Sequence, residues 1–230
     1  MLPGPSVVVS CPLCNVVACY ETQASGNTLR GTYYTDGKAV FPMLIQVPDV
    51  VQCPGCKRPY WLSLATELCE IDRWGTDETD QQGFPINPHV RNAPVLAEPT
   101  ESEYLDGLED LIRTKPNEEL TVRLLAWWSS NDRYRLEECE TEPITAPAPA
   151  DSPPQLAMRR ANMDGLLRIL PEADAEDPSK PLMRAEVFRQ LGEFDQALEL
   201  LARPYPQEFS EAINRLSALC KDRDTVLRTL

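Results

Sequence analysis

The chain has 230 residues, 22 of them prolines, and a formal net charge of −14 at pH 7. This proline content excludes a single compact unit and indicates several stiff connectors. An acidic chain repels phosphate backbones, which disfavours nucleic-acid binding, and no apolar run approaches the roughly 18 residues of a membrane span. Eight cysteines, in a chain whose N-terminus lacks the pattern of a secretion signal, predict a cytoplasmic protein whose reduced thiols bind metal.

The acidic side chains are concentrated in the middle of the chain. Residues 71–153 hold 18 acidic and 7 basic side chains, whereas residues 1–70 and 154–230 are each close to neutral. Two interpretations stay open: the acidic surface attracts a basic or mixed-charge protein segment, or it serves solubility alone.

The first 70 residues predict a small β-rich unit. Asp36-Gly37 lies between two β-favouring runs and predicts a hairpin, because glycine adopts the positive φ that a tight primed turn requires. Residues 63–69 predict a short helix that closes the unit. Further short strands are expected at 6–10, 16–20, 47–52 and 60–62.

Two C-x-x-C pairs in this unit predict a metal site. Cys11-Pro-Leu-Cys14 and Cys53-Pro-Gly-Cys56 are each flanked by predicted strands. Zinc prefers four soft ligands in a tetrahedron, and a two-residue spacing lets both sulfur atoms of a tight turn face one ion. Four thiolates leave no coordination position for water or substrate. We therefore expect one structural Zn²⁺ on Cys11, Cys14, Cys53 and Cys56.

The repeated C-P-x-C pattern with its flanking strands resembles the zinc-ribbon family. Residues 15–52 separate the two pairs by more than that family usually has, which implies a long hairpin insertion. The alternative for such pairs is a redox couple, which normally accompanies a βαβ pattern that this region lacks. The remaining cysteines stand alone. Cys19 and Cys69 are expected to pack as small apolar residues, with a role as substitute metal ligands as the alternative, and Cys139 and Cys220 are expected to be free thiols.

A change from β to helical pattern occurs at Thr100. Residues 71–99 predict an acidic connector with little periodicity. Thr100 and Glu103 then have the spacing of a capping box, and apolar residues at helical spacing predict a helical hairpin over residues 100–140. A proline- and alanine-rich linker is expected at 141–154.

Residues 155–230 predict further helices, part of which resemble a tetratricopeptide repeat. The stretch 181–202 has the small, aromatic and glycine residues of that repeat at matching positions: Ala185, Phe188, Gly192, Phe194, Ala197 and Leu201. Small residues let two antiparallel helices approach, and larger neighbours interlock them. The resemblance covers about one repeat and lacks its leading tryptophan. It implies a TPR-like helical region, and a generic helical hairpin without a binding groove is the open alternative.

No arrangement of residues typical of catalysis occurs in the sequence. His89 is the single histidine and lies in a loop-like stretch, so a Ser-His or Cys-His pair would have to use it. A glycine-rich phosphate loop is absent. The aromatic pairs Tyr60-Trp61 and Trp127-Trp128 are expected to pack in cores rather than to bind a partner. We therefore expect a protein that is not an enzyme.

The expected fold class is α+β multidomain, with a small β-rich zinc ribbon followed by TPR-like all-α helical hairpins. This layout resembles uncharacterised bacterial proteins that join an N-terminal cysteine ribbon to C-terminal repeat-like helices. The expected function is that of a zinc-stabilised interaction or adaptor protein with a protein partner. The alternative is a nucleic-acid-associated zinc-ribbon protein in transcription or RNA processing, supported by basic and aromatic side chains at Arg30, Tyr33, Tyr34, Lys38, Lys57, Arg58, Tyr60 and Trp61.

Overall fold

The computed structural model describes residues 2–72, 88–139 and 152–230, without the side chains of His89 and of residues 136–139. Most of the predicted linker and half of the predicted connector therefore lie outside the described residues. The chain forms two compact units. We call the first the cysteine unit (Met1–Gly31, Phe41–Pro99 and Asp106–Pro116) and the second the helical unit (Thr32–Val40, Thr100–Leu105 and Asn117–Leu230).

Small antiparallel sheets form the cysteine unit. Strand β2 (Ser6–Ser10) is the centre of a three-stranded sheet, with β3 (Val17–Tyr20) on one edge and β9 (Thr66–Ile71) on the other. The two-stranded pairs are β1 (Leu2–Pro3) with β4 (Gln23–Ser25), and β7 (Val50–Gln52) with β8 (Pro59–Trp61). The sheets in this N-terminal part and the helices that follow give an α+β arrangement.

The predicted helix over residues 63–69 is wrong. A short 3-10 turn covers Leu62–Leu64, and strand β9 begins two residues later. β9 pairs with the edge of β2 that β3 leaves open, with Ser6 opposite Ile71 and Ser10 opposite Thr66. Pairing these backbone groups outweighs the weak helical preference of a seven-residue stretch, which is too short to be stable as an isolated helix.

Residues 92–99 lie against the strands of the cysteine unit. The Cys19 N–H donates to the Pro94 carbonyl at 2.9 Å, and the Leu96 N–H donates to the Cys19 carbonyl at 2.7 Å. The Gln52 N–H donates to the Ala97 carbonyl at 2.9 Å. This part of the predicted connector therefore satisfies backbone groups at two strand edges.

In the described part of the cysteine unit, the helices are α1 (Pro88–Arg91) and α3 (Leu108–Thr114). The indole N–H of Trp61 donates to the Leu111 carbonyl of α3 at 3.0 Å, and Lys115 lies 4.5 Å from the centre of the Trp61 ring. The first helix of the predicted hairpin is split at Gly107 into α2 (Glu101–Asp106) and α3, because glycine has a low helix propensity.

The C-terminal part of the chain is helical, as expected. Its helices are α4 (Glu119–Cys139), α5 (Pro153–Ile169), α6 (Ser179–Gln190), α7 (Phe194–Leu201) and α8 (Ser210–Lys221). The predicted capping box is present, with the Thr100 N–H donating to Glu103 Oε2 at 2.8 Å. Across the described ranges, no helix has the length and apolar character to cross a lipid bilayer.

Apolar clusters lie in the core of the described part of the helical unit. Trp127 is fully buried against Leu166, Leu170 and Val187, and Trp128 packs at the edge of this cluster. A second cluster contains the small residues that the repeat pattern identified, Ala185 and Ala197, together with Leu182, Phe194, Leu200, Leu201 and Leu216. A tetratricopeptide-like arrangement of these helices stays a prediction.

The predicted hairpin at Asp36-Gly37 is present, and it belongs to the helical unit. Strands β5 (Thr32–Tyr33) and β6 (Ala39–Val40) are antiparallel, and Gly37 has a φ of 81°. The C-terminal segment lies beside the hairpin: the Thr35 N–H donates to the Arg228 carbonyl and the Leu230 N–H to the Tyr33 carbonyl, each at 2.9 Å.

Buried charges hold the hairpin in the helical unit. The side chains of Asp36 and Arg135 form an ion pair with 0% and 6% of their surface exposed. Thr35 donates its hydroxyl to Glu186 at 2.8 Å, and Glu186 forms a fully buried ion pair with Arg189 at 2.6 Å. Short-range sequence pattern grouped this hairpin with the flanking ribbon, because the partners of its polar side chains lie about 100 to 150 residues later in the chain.

Candidate metal centre

Each C-x-x-C pair forms the end of a β-hairpin. The first pair joins β2 to β3, and the second joins β7 to β8. The Cys11 N–H donates to the Val16 carbonyl at 2.9 Å, and the equivalent bond in the second pair runs from the Cys53 N–H to the Arg58 carbonyl at 3.1 Å. Two turns of the same construction therefore present their cysteines in the same way. We call them the first and the second knuckle.

Each knuckle closes on a residue with left-handed backbone conformation. Asn15 has a φ of 60° and Lys57 a φ of 61°, and each donates its N–H to the carbonyl of the first cysteine of its pair, at 2.9 and 3.0 Å. Asparagine tolerates this conformation, whereas a lysine is strained in it. The left-handed residue closes a tight turn in which both sulfur atoms of the pair face a common point.

The structure brings the four predicted ligands together. The Sγ atoms of Cys11, Cys14, Cys53 and Cys56 all lie within 4.8 Å of one another. The sulfur atoms of Cys14 and Cys53 are 3.5 Å apart. Tetrahedral zinc with Zn–S bonds of about 2.3 Å requires sulfur atoms about 3.8 Å apart, so this cluster fits a single zinc ion.

Backbone N–H groups around the cluster stabilise thiolates. Cys53 Sγ accepts hydrogen bonds from the N–H groups of Gly55 and Cys56, both at 3.4 Å. Cys11 Sγ accepts a bond from the Leu13 N–H, also at 3.4 Å. Such donors orient the metal-bound sulfurs and offset part of their negative charge. In each knuckle the N–H group two residues after the first cysteine, that of Leu13 or Gly55, donates to the sulfur of that cysteine, so the two knuckles are alike in this respect too.

The thiols of the cluster differ in acidity. Burial raises the pKa of Cys11 to about 12 and also raises the pKa of Cys56. The backbone N–H of Val16 lowers the pKa of Cys14 to about 7. Binding a metal to all four thiolates therefore releases protons, and the affinity for metal rises with pH.

Tyr60 packs behind the cluster. It shares one apolar core with Cys11 and Cys53, and only 3% of its surface is exposed. Burial, followed by the nearby cysteine sulfurs, raises the pKa of Tyr60, so its hydroxyl stays neutral. The sequence predicts that Tyr60 packs in a core because of its place in an expected strand, and the structure confirms this.

Among the other cysteines whose side chains the structure describes, none joins the cluster. Cys19 is fully buried, with its thiol 3.5 Å from the Ala93 carbonyl, and Cys69 is half-buried in β9. Cys220 is buried in the second apolar cluster of the helical unit, where burial raises its pKa. The side chains of Cys139 and His89 lie outside the part of the chain that the structure describes.

No protein-family model matches the chain, and neither a curated protein nor a solved structure matches it significantly. The cysteine cluster therefore stands on its own geometry: four soft donors, one common centre and two knuckles of equivalent construction.

Proposed function

We propose that Cys11, Cys14, Cys53 and Cys56 hold one structural Zn²⁺ and that the chain is a zinc-stabilised interaction or adaptor protein without enzymatic activity. The observation that carries this proposal is the convergence of four sulfur atoms on one point. Four thiolates complete a tetrahedral shell, which leaves no position for a reacting water or substrate. The ion stabilises a unit whose strands are only two to six residues long.

Elemental analysis of the full-length protein, purified without added metal, tests the zinc site. We expect one zinc per chain in the wild type and much less than one in Cys53→Ser. Cys69→Ser is the matched control, because it removes a half-buried thiol of the same unit that is not part of the cluster. Cobalt(II) substitution should give the visible absorption of a tetrahedral thiolate complex. A metal content near zero in a folded wild type would refute the zinc site.

The helical unit supplies the interaction surface in this proposal. Its residues include 24 acidic and 15 basic side chains, a difference of −9. A groove of about 260 Å³ lies between the segments 172–178 and 203–206, with Tyr205 and four prolines in its lining. Its charged lining residues are Glu172, Asp174 and Arg203, and Glu172 pairs with Arg203 at 2.9 Å. Grooves with an aromatic side chain in the lining bind extended peptide segments in several families of peptide-recognition domains. A TPR-like stack of helices would present such a groove to a basic protein segment.

Affinity purification from the native host, followed by mass spectrometry, tests the adaptor proposal. Full-length wild type and Glu172→Lys are compared, with Glu208→Lys as the control for an exposed charge change outside the groove lining. We expect a partner with a basic segment that is recovered by the wild type and the control and reduced with Glu172→Lys. Equal recovery by all three proteins would place the partner elsewhere on the molecule.

A nucleic-acid role remains the second candidate because Lys57 and Arg58 are both exposed beside the second knuckle. The aromatic rings next to them do not support it, since Tyr60 and Trp61 are each only 3% exposed and offer no free face for base stacking. Binding of an oligonucleotide to the full-length protein, abolished by Lys57→Ala with Arg58→Ala, would favour this role over the adaptor.

A further inference from the structure

A second surface of the molecule lies in the cysteine unit, beside the metal centre. It is a cleft of about 140 Å³, which we call the knuckle cleft. Pro12 and Leu13 of the first knuckle line it, together with Pro59 and Leu64 from the chain after the second knuckle and Leu111 of α3. Leu13 and Leu64 are 46% and 44% exposed, so apolar surface is open to solvent at its mouth.

Basic side chains border the knuckle cleft. Arg58 and Arg113 line it, with 56% and 74% of their side-chain surface exposed, and both contact the single lining carboxylate, Asp110. Lys57 precedes Arg58 in the chain, and Lys115 lies over the ring of Trp61. The lining therefore holds two basic side chains and one acidic one, in a unit that holds 12 acidic and 7 basic residues in total.

We infer that the knuckle cleft binds an acidic protein segment that inserts one bulky apolar side chain. The cleft volume is well below the roughly 300–1,000 Å³ of small-molecule sites, and it suits a single side chain. The apolar lining takes that side chain, and the basic border pairs with the Asp and Glu residues beside it. Because Pro12 and Leu13 belong to the first knuckle, the metal centre also helps to shape this surface.

The inference rests on the proposed interaction function and adds a second partner chemistry to it. The acidic helical unit suits a basic segment, and the knuckle cleft suits an acidic one. A nucleic acid suits the cleft less well, because the aromatic residues that line the cleft, Tyr60 and Trp61, are buried and offer no face on which a base could stack. Lys115 also covers the ring of Trp61. The net charge of the whole chain also opposes a phosphate backbone.

Binding of a fluorescent peptide to the full-length, zinc-loaded protein tests the inference. The probe is a peptide of about twelve residues with one central leucine flanked by Asp and Glu, at an ionic strength of about 50 mM where charge pairing is strong. We expect saturable binding that weakens about tenfold in Arg113→Glu and about tenfold in Leu64→Ser. Arg30→Glu and Leu29→Ser are the matched controls, since both positions are exposed in the same unit outside the cleft lining, and they should bind as the wild type does.

Three results would overturn the inference. The first is no saturable binding of the acidic leucine peptide, or equal binding of a peptide with Lys and Arg in place of Asp and Glu. The second is tighter binding of a single-stranded oligonucleotide that is lost in Arg113→Glu. The third is self-association of the wild type that is lost in the same variant, which would assign the cleft to a second copy of the chain. Zinc content and partner recovery do not depend on the peptide probe, so failure here is distinct from failure of the proposed function.

Discussion

Substitution of Asp36 by asparagine should strongly destabilise the helical unit. The Asp36 side chain is fully buried, and its carboxylate pairs with Arg135 and accepts a hydrogen bond from Asn131 Nδ2 at 2.9 Å. Its Oδ1 atom also accepts the Lys38 N–H at 3.1 Å. Asparagine keeps the size of the side chain and removes its charge, so the buried guanidinium loses its main counter-charge.

The expected loss of stability depends on the hydrogen bonds that Arg135 still makes in the variant. Breaking a buried ion pair by removing one partner costs about 3–5 kcal/mol. Arg135 still donates to Asp132 Oδ1 at 2.7 Å and to the Trp128 carbonyl at 2.9 Å, so we expect a loss near the lower end, about 3 kcal/mol. With a denaturant dependence of about 1–3 kcal/mol per molar urea, the midpoint of unfolding should fall by about 1–3 M.

Urea unfolding followed by far-ultraviolet circular dichroism measures this loss, because the signal comes mainly from the helices. Glu119→Gln is the control, because it removes an ion pair with Arg123 in the same helix as Arg135. The Glu119 side chain is 39% exposed, so this loss should cost about 0.5 kcal/mol or less. Combining Asp36→Asn with Arg135→Met should cost no more than Asp36→Asn alone, since neither charge is then left unpaired. A midpoint for Asp36→Asn equal to that of the control would show that this pair does not hold the hairpin.

Three further substitutions test individual features. Lys57→Gly should stabilise the protein by about 0.5–1 kcal/mol in thermal unfolding, because glycine removes the strain of a positive φ; an unchanged or lower midpoint would contradict this. Gly192→Ala should destabilise the helical unit by about 1 kcal/mol in urea, purely through its φ of 80°, because a Cβ atom there would meet nothing within 4 Å. Burial raises the pKa of Asp224, but the hydrogen bond from the Val226 N–H and the charge of Arg228 lower it by more, so its pKa in the folded protein is below the unfolded value. The stability that this shift contributes is present above the unfolded pKa of about 4 and is lost as the pH falls through the folded pKa. Asp224→Asn should therefore lose less stability than the wild type between about pH 5 and pH 2, and parallel pH profiles would refute that role.

The features that the sequence predicted well are those determined by short-range spacing. The two knuckles need only the C-x-x-C spacing and the strands on either side, and the structure confirms that their four sulfurs meet. The Thr100–Glu103 capping box and the turn at Gly37 are likewise fixed by residues within three positions of each other. In these cases a single local interaction determines the conformation.

The features that the sequence missed depend on distant partners. Residues 63–69 form most of a strand because the edge of β2 is open to them, and nothing within that stretch encodes this. The hairpin at Asp36 joins the helical unit because Arg135 and Glu186 provide buried partners for it. The knuckle cleft depends on α3, about 50 residues beyond the second knuckle, so its basic border could not be assembled from either segment alone.

The pairing of the hairpin with the C-terminal segment has a consequence for synthesis on the ribosome. The Arg228 N–H donates to the Thr35 hydroxyl across 193 positions of sequence. At a translation rate of roughly 5–20 residues per second, the C-terminal segment that pairs with this hairpin is synthesised about 10–40 s after the hairpin itself. During that interval the cysteines of both knuckles, which lie on either side of the hairpin in the chain, have already been translated. Metal capture can therefore precede completion of the helical unit, and it would hold the two ends of residues 15–52 together while the rest of the chain emerges.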